Sequence, residues 1–241
     1  MIKKRILTVI ALIAIIAALW GLIYYFAVHR PAILRHQENV KAVEQYYKDK
    51  VASFAEDNKW ILPYETDVAF IGDSLTDGYD VEKFYPEYNV ANRGIGGDTT
   101  YGLLARLDVS VYQIKPKVVV MLIGANNLQT MFEDYEKLVT GIKENLPDTE
   151  LVICSLTSMG REWGKNNHLA AYNNVKIRAI ANKHGCHFVD LYTPLLNFET
   201  DEIYEHYTTD GGHLTEGGYN VLTQNIKPVI DGILNKNSSR D

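Results

Sequence analysis

The sequence predicts an α/β protein: a three-layer αβα sandwich around a five-stranded parallel sheet, joined to an N-terminal transmembrane helix. Three observations predict it. Short, continuously apolar runs bounded by turn residues recur from Asp67 onward, as in strands buried on both faces. Stretches of helical periodicity separate these runs, the pattern of parallel strands covered by helices. One apolar run long enough to cross a bilayer stands at the N-terminus.

That first run extends from Ile6 to Val28, after Lys3, Lys4 and Arg5. A spanning helix needs roughly 20 apolar residues, whereas a cleaved signal peptide has a core of about 7–15 ending at small residues. Here the run ends in Trp20, Tyr24, Tyr25 and Phe26, residues suited to the membrane interface. Residues 1–29 are therefore expected to be an uncleaved signal anchor. Arg30, Arg35 and Lys41 follow the span, so basic charge is not one-sided. The tight Lys3-Lys4-Arg5 cluster nevertheless predicts a short inside tail, a single pass through the cell membrane and an extracellular main domain.

Residues 30–64 read as a helical linker. Val40, Val43, Tyr47, Val51 and Phe54 recur at spacings of three and four, an amphipathic stripe better suited to packing than to a partner. Residues 65–236 form the main domain, and 237–241 a polar tail. Its strands are expected at Val68–Ile71, Tyr88–Ala91, Lys117–Ile123, Leu151–Cys154 and His187–Asp190. Helical periodicity fills Thr99–Ile114, Met131–Asn145, Asn166–His184 and Thr215–Leu234. This alternation gives a flavodoxin-like sheet that binds ligands at the carboxyl ends of its strands.

Composition excludes little else. The net charge of −6 comes without a basic stripe after the anchor, which argues against a nucleic-acid partner. The two cysteines, Cys154 and Cys186, fall in or beside apolar runs and read as buried free thiols rather than a disulfide. The oligomeric state is open.

Four segments carry chemistry. Gly72-Asp73-Ser74-Leu75-Thr76 follows the first strand and places a serine where such a sheet binds substrate. The Gly-x-Ser-x-Gly elbow is absent, because Thr76 stands where its second glycine belongs. Asn92-Arg93-Gly94-Ile95-Gly96-Gly97-Asp98-Thr99 follows the second strand, and Gly124-Ala125-Asn126-Asn127 the third. Both can offer neutral donors near Ser74: the Gly97 N–H and the Asn126 amide. A developing oxyanion wants such donors, each worth about 3 kcal/mol of barrier. A phosphate cradle fits the glycine segment poorly, since neither Gly-x-Gly-x-x-Gly nor Gly-Lys-Ser/Thr is present. In Asp210-Gly211-Gly212-His213-Leu214, an aspartate three residues before a histidine can reach its Nδ1 and hold the ring. Each segment alone also reads as an ordinary turn or helix cap.

Together, and in this order, the four resemble the SGNH hydrolase superfamily, the GDSL esterases and lipases, over roughly residues 67–234. The family's four blocks carry Ser, Gly, Asn and His, and all are matched. The resemblance implies Ser74 as nucleophile and Asp210 and His213 as its triad partners. It implies an oxyanion hole from Ser74, Gly97 and Asn126. Asn127 departs from the aspartate frequent at that place in the family, a change expected to touch hydrogen bonding around Asn126. The implied activity is a serine esterase cutting a short-chain acyl or acetyl ester through an acyl-enzyme. It needs no cofactor and no metal, and its partners are a small or glycan ester and the membrane. Acyl transfer to envelope glycans, lysophospholipase or thioesterase activity, and a catalytically silent tethered binding domain are the alternatives.

Other residues carry weaker readings. His184, Cys186 and His187 cluster, but a metal site is disfavoured because no second ligand group is evident. Arg106 reads as a surface charge and Asp73 as a turn residue. Trp163 and Tyr101 are candidates for the cleft wall, with packing an equal reading.

Overall fold

The computed structural model describes residues 2–238, in two compact units divided between Lys48 and Asp49. In the first unit, helix α1 (Ile2–Tyr24) passes through a π-helical turn at Tyr25–His29 into helix α2 (Arg30–Asp57). The helix is long and apolar enough to cross a membrane, and its apolar stretch is not buried. A helix apolar on every side finds no water-facing edge, which suits a lipid surround. Helix α2 continues into the second unit. Along the expected stripe, Val40 and Val43 are exposed, Tyr47 and Val51 half-buried, and Phe54 buried.

The second unit is built on five parallel strands: β1 (Val68–Gly72), β2 (Val90–Gly94), β3 (Val118–Leu122), β4 (Glu150–Cys154) and β5 (His187–Val189), in the order β2-β1-β3-β4-β5. Alternate side chains enter two cores. Ala69, Ile71, Val119, Met121, Leu151 and Ile153 face one, which also holds residues of α5 (Thr100–Ala105), α6 (Tyr135–Asn145) and α8 (Asn167–Lys183). Val68, Phe70, Val118, Val120, Val152 and Cys154 face the other, with α9 (Glu216–Ser238). This is why the strands read as apolar throughout rather than alternating. Short helices α3 (Ser74–Asp77), α4 (Val81–Phe84) and α7 (Arg161–Gly164) and a small antiparallel pair, β6 (Leu196–Asn197) with β7 (Glu202–Ile203), complete the unit. The last turn of α9 reaches into the segment expected to be a tail; residues 239–241 lie outside the described residues.

Two elements differ from expectation. Strand β2 begins later and takes in Asn92, Arg93 and Gly94, which pair with Phe70, Ile71 and Gly72. Its apolar pattern stops at Ala91, but Asn92 finds partners in the fold: its Nδ2 donates to Thr76 O (2.7 Å) and Tyr79 O (2.8 Å). The helix expected over Thr99–Ile114 breaks. Helix α5 ends at Ala105, Arg106 leaves helical backbone at φ −117°, and a π-helical turn follows at Asp108–Tyr112.

The sheet order reverses direction between β1 and β3. Their carboxyl ends diverge there into a crevice, the usual ligand position in open α/β sheets. Ser74 follows β1, and Asn126 follows β3.

Candidate active site

Ser74 is the first residue of α3. Asp73 caps that helix, its carboxylate accepting from Leu75 N at 3.1 Å. Burial pushes the Asp73 carboxyl up to about 7, against its backbone hydrogen bonds. The turn from β1 into α3 is tight. A Cβ on Gly72 would lie 2.1 Å from Leu122 O and 2.3 Å from Thr76 Oγ1, so only glycine fits. As a first helical residue, Ser74 keeps an N–H without an intrahelical acceptor.

His213 arrives from the loop before α9. Its Nε2 lies 3.0 Å from Ser74 Oγ, and its Nδ1 2.7 Å from Asp210 Oδ2. The other Asp210 oxygen accepts from the backbone N–H of Gly212 (2.9 Å) and His213 (2.7 Å). Burial pushes the Asp210 carboxyl up. The His213 backbone and ring and the Gly212 N–H outweigh it and hold the group at about 2. An ionised carboxylate only accepts, so Nδ1 carries the ring proton and Nε2 is left to accept from the serine hydroxyl. The loop itself is pinned: Thr208 Oγ1 donates to His213 O (2.7 Å) and accepts from Gly211 N (2.7 Å). Gly211 sits at φ +95°, where a Cβ would meet Gly160 O at 2.3 Å. Arg161 donates to Thr209 O at 2.9 Å and pairs with Glu205, which ties the loop to α7.

Across the crevice, Gly97 lies in the turn after β2 at φ +79°. Gly96 N donates to Asp77 Oδ2 (2.9 Å), and Asn126 Nδ2 donates to Asp98 O (2.9 Å). One hydrogen of the Asn126 amide is thus used to fix the side chain, and the second is left over. Asn127, the departure from the family pattern, donates to Thr100 Oγ1 (2.9 Å) and accepts from Thr100 N (3.4 Å). An aspartate there would only accept.

Arg106 is a correction to the surface reading. It is 2% exposed. Its Nε pairs with Asp98 Oδ2 (2.8 Å), Nη1 donates to Arg93 O (2.8 Å) and Ser110 Oγ (2.8 Å), and Nη2 donates to Gly72 O (3.0 Å). The missed signal was its place on one helical face with Leu103 and Ser110, which points it inward. Burial pushes the Asp98 carboxyl up, and Arg106 pulls against that.

A cavity of about 50 Å³ opens at Ser74, lined by Leu75, Asn126, Thr157, Met159, Trp163 and His213 among others. A cleft of about 590 Å³ shares Ala125, Asn126 and Trp163 with it and continues along Gln129, Thr130 and Asn166. Trp163 therefore lines the cleft, whereas Tyr101 is 70% exposed and lines neither space. His184 is bonded to Glu136 (2.8 Å) and His187 faces Glu150 (3.5 Å). Cys154 and Cys186 are free thiols. Among the described residues no group of three or more His, Cys, Asp or Glu could hold a metal ion.

A serine hydroxyl shared with a neutral imidazole, itself oriented by a carboxylate, can attack a carbonyl carbon. Comparison with known proteins gives the chain's family and fold. The GDSL-like Lipase/Acylhydrolase family model matches residues 70–221, more than half of the chain. The platelet-activating factor acetylhydrolase IB subunit alpha2 of Rattus norvegicus is 29% identical over 183 residues, covering 70% of this chain and 78% of its own. Among solved structures, that of a putative platelet activating factor from Streptococcus pneumoniae superposes with a TM-score of 0.74 at 21% identity, covering 82% and 99% of the two chains. A GDSL-like lipase from Bacteroides thetaiotaomicron gives 0.68 at 24%, covering 76% and 97%. At these identities the two structures establish a common fold.

Proposed function

The chain belongs to the GDSL-like lipase/acylhydrolase family and is a hydrolase of esters, and on that premise we propose that it cuts a short-chain acyl ester through an acyl-enzyme on Ser74. The observation that carries this reading is the unbroken hydrogen-bonded line from Ser74 Oγ through His213 to Asp210. In the first step His213 Nε2 takes the hydroxyl proton as Ser74 Oγ bonds to the ester carbon. The carbonyl electrons move onto oxygen, which the Ser74 and Gly97 N–H groups and the Asn126 amide stabilise. The tetrahedral adduct collapses, the ester C–O bond breaks, and His213 passes its proton to the departing alcohol. Water, deprotonated by His213, adds to the acyl carbon; the bond from that carbon to Ser74 Oγ then breaks, His213 returns its proton to Oγ, and the acid leaves. Asp210 stays ionised throughout and stabilises the imidazolium.

A short acyl group is favoured by the small cavity at Ser74, of roughly 50 Å³. The similarity to an acetylhydrolase subunit is in keeping with it. The alcohol half would occupy the larger polar cleft beyond Trp163. We also read α1 as a single-pass anchor with the Lys3-Lys4-Arg5 end inside and the hydrolase domain outside. Retention in membranes after carbonate washing, with the domain cut by protease added to intact cells, is the expected behaviour; release by carbonate would overturn the anchor.

The nucleophile is tested by labelling with a fluorophosphonate and by a chain-length series of p-nitrophenyl esters. Labelling at Ser74, lost in Ser74→Ala, with acetate preferred over octanoate, is expected. Full turnover in folded Ser74→Ala rules out this nucleophile, and a preference for octanoate rules out the short acyl slot.

A further inference from the structure

We propose that the end of α2 is a positioning element for the reaction: Lys50, Phe54, Asp57 and the following Asn58 brace the turn that carries Gly97. The proposal rests on the reading of Gly97 and Asn126 as oxyanion donors.

Two lines of contact run from this helix end to the turn. In the first, Lys50 Nζ lies 2.8 Å from Asp77 Oδ1, and Asp77 Oδ2 accepts from Gly96 N at 2.9 Å. In the second, the Arg93 guanidinium is held from the α2 side. Asn58 Oδ1 accepts from it at 2.9 Å, Asp57 Oδ2 lies at 3.3 Å, and the Phe54 ring centre at 4.8 Å. The Arg93 carbonyl accepts from Arg106, Arg106 pairs with Asp98, and the Asp98 carbonyl fixes the Asn126 amide. Gly96 and Asp98 flank Gly97. The residue on each side of the donor is therefore held by a route that leads back to α2.

The electrostatics make the brace more than packing. Arg93 and Arg106 are two cations at 2% exposure each, and the Phe54 ring lies within 5.8 Å of both guanidiniums. Like charges so placed repel, and burial costs each of them its hydration. Asp98 neutralises one and Asp57 the other, while the ring face attracts both. Arg93 Nε is buried without a hydrogen-bond partner, so this cation has little else to rely on. Burial lowers the Arg93 pKa and Asp57 works against that, as expected for a cation that depends on one carboxylate. Oxyanion donors act only when preorganised, and a displacement of about 1 Å can cost 100-fold in rate.

The test uses the full chain in detergent micelles, with p-nitrophenyl acetate as substrate and amide exchange measured by peptide. For Phe54→Ala and Asp57→Asn, kcat should fall about tenfold with KM changed less than about twofold, since only transition-state contacts are loosened. Exchange should speed up in the peptide holding residues 95–98 and stay unchanged in that holding 118–122. Asp57→Glu should recover part of the lost kcat. If Phe54→Ala does not fold, Lys50→Ala decides, because its ion pair is partly exposed and its loss should speed exchange at Gly96 alone. Wild-type kcat in the folded variants would overturn the brace. So would faster exchange spread evenly over both peptides, which would mean general loosening. A wild-type protein that neither turns over nor labels at Ser74 would instead overturn the serine-esterase reading, and the exchange comparison would still judge the brace as a mechanical link.

Discussion

The two sides of the Ser74 crevice are held in opposite ways. On one side, His213 and Asp210 have side chains 49% and 48% exposed, stand three residues apart and are joined within one loop. On the other, Arg106 and Asp98 are 1% and 2% exposed and tie together β1, β2 and α5. The first arrangement can exchange protons with water and substrate at small structural cost. The second holds backbone and amide donors still, and it does so with buried charge, which is tolerable only while every partner is present. On the proposed reading, the wet side carries the chemistry and the dry side the rigidity.

The comparison can be broken or sharpened by substitution. Ser74→Ala should lower kcat by about six orders of magnitude and leave the thermal midpoint unchanged, as scanning calorimetry beside turnover would record. Asn126→Ala should cost roughly 100- to 1000-fold in kcat with little change in KM. An equal rise in KM would place the amide in ground-state binding instead. Arg106→Met should act through stability, since it leaves the Asp98 carboxylate buried and unpaired at a cost of about 3–5 kcal/mol in denaturant titrations. A loss under about 1 kcal/mol would show that the dry side is not held by charge.

The dry character reaches Asp73, and pH should report it. Its carboxyl is raised from 3.8 to about 7 in the fold. Below about pH 3 it is protonated in folded and unfolded chains alike. As pH rises toward 7 the unfolded chain ionises first, so this group's contribution to stability declines through that window and levels off above it. Asp73→Asn, which keeps an acceptor for Leu75 N, should remove the decline, worth roughly 4 kcal/mol or less by linkage. Asp210 works in the other direction. Held at about 2, it contributes stability above the ordinary aspartate range that is lost only as pH falls toward 2. Its titration therefore cannot cause an acid limb of activity near neutral pH. The smallest effect is expected at Lys83→Ala, whose partner Glu216 is also exposed; its thermal midpoint should match that of the unsubstituted chain within the error of the scan.

Much of the architecture was legible because strands buried on both faces must be apolar at every position, as β1 and β3 are. Strand β2 lies later than its apolar pattern because half-buried Asn92 and buried Arg93 are held by partners in the fold, and that leaves no mark in hydropathy. Helix α5 was drawn too long for the same reason, since Arg106 turns inward to acceptors that come from distant segments. Where β-branched runs, glycines and the order of four short segments carry information, the sequence by itself determined the parallel sheet, the apolar first helix and the family. Local chemistry sets those features residue by residue. The resemblance already implies Ser74 and His213 as partners, but their approach across 139 positions, the inward course of Arg106 and the grip of α2 on Arg93 come only from the three-dimensional fold. A hydrogen bond or ion pair between distant residues depends on where the whole chain places them, and a buried charge keeps its place only because the complete fold supplies its partners.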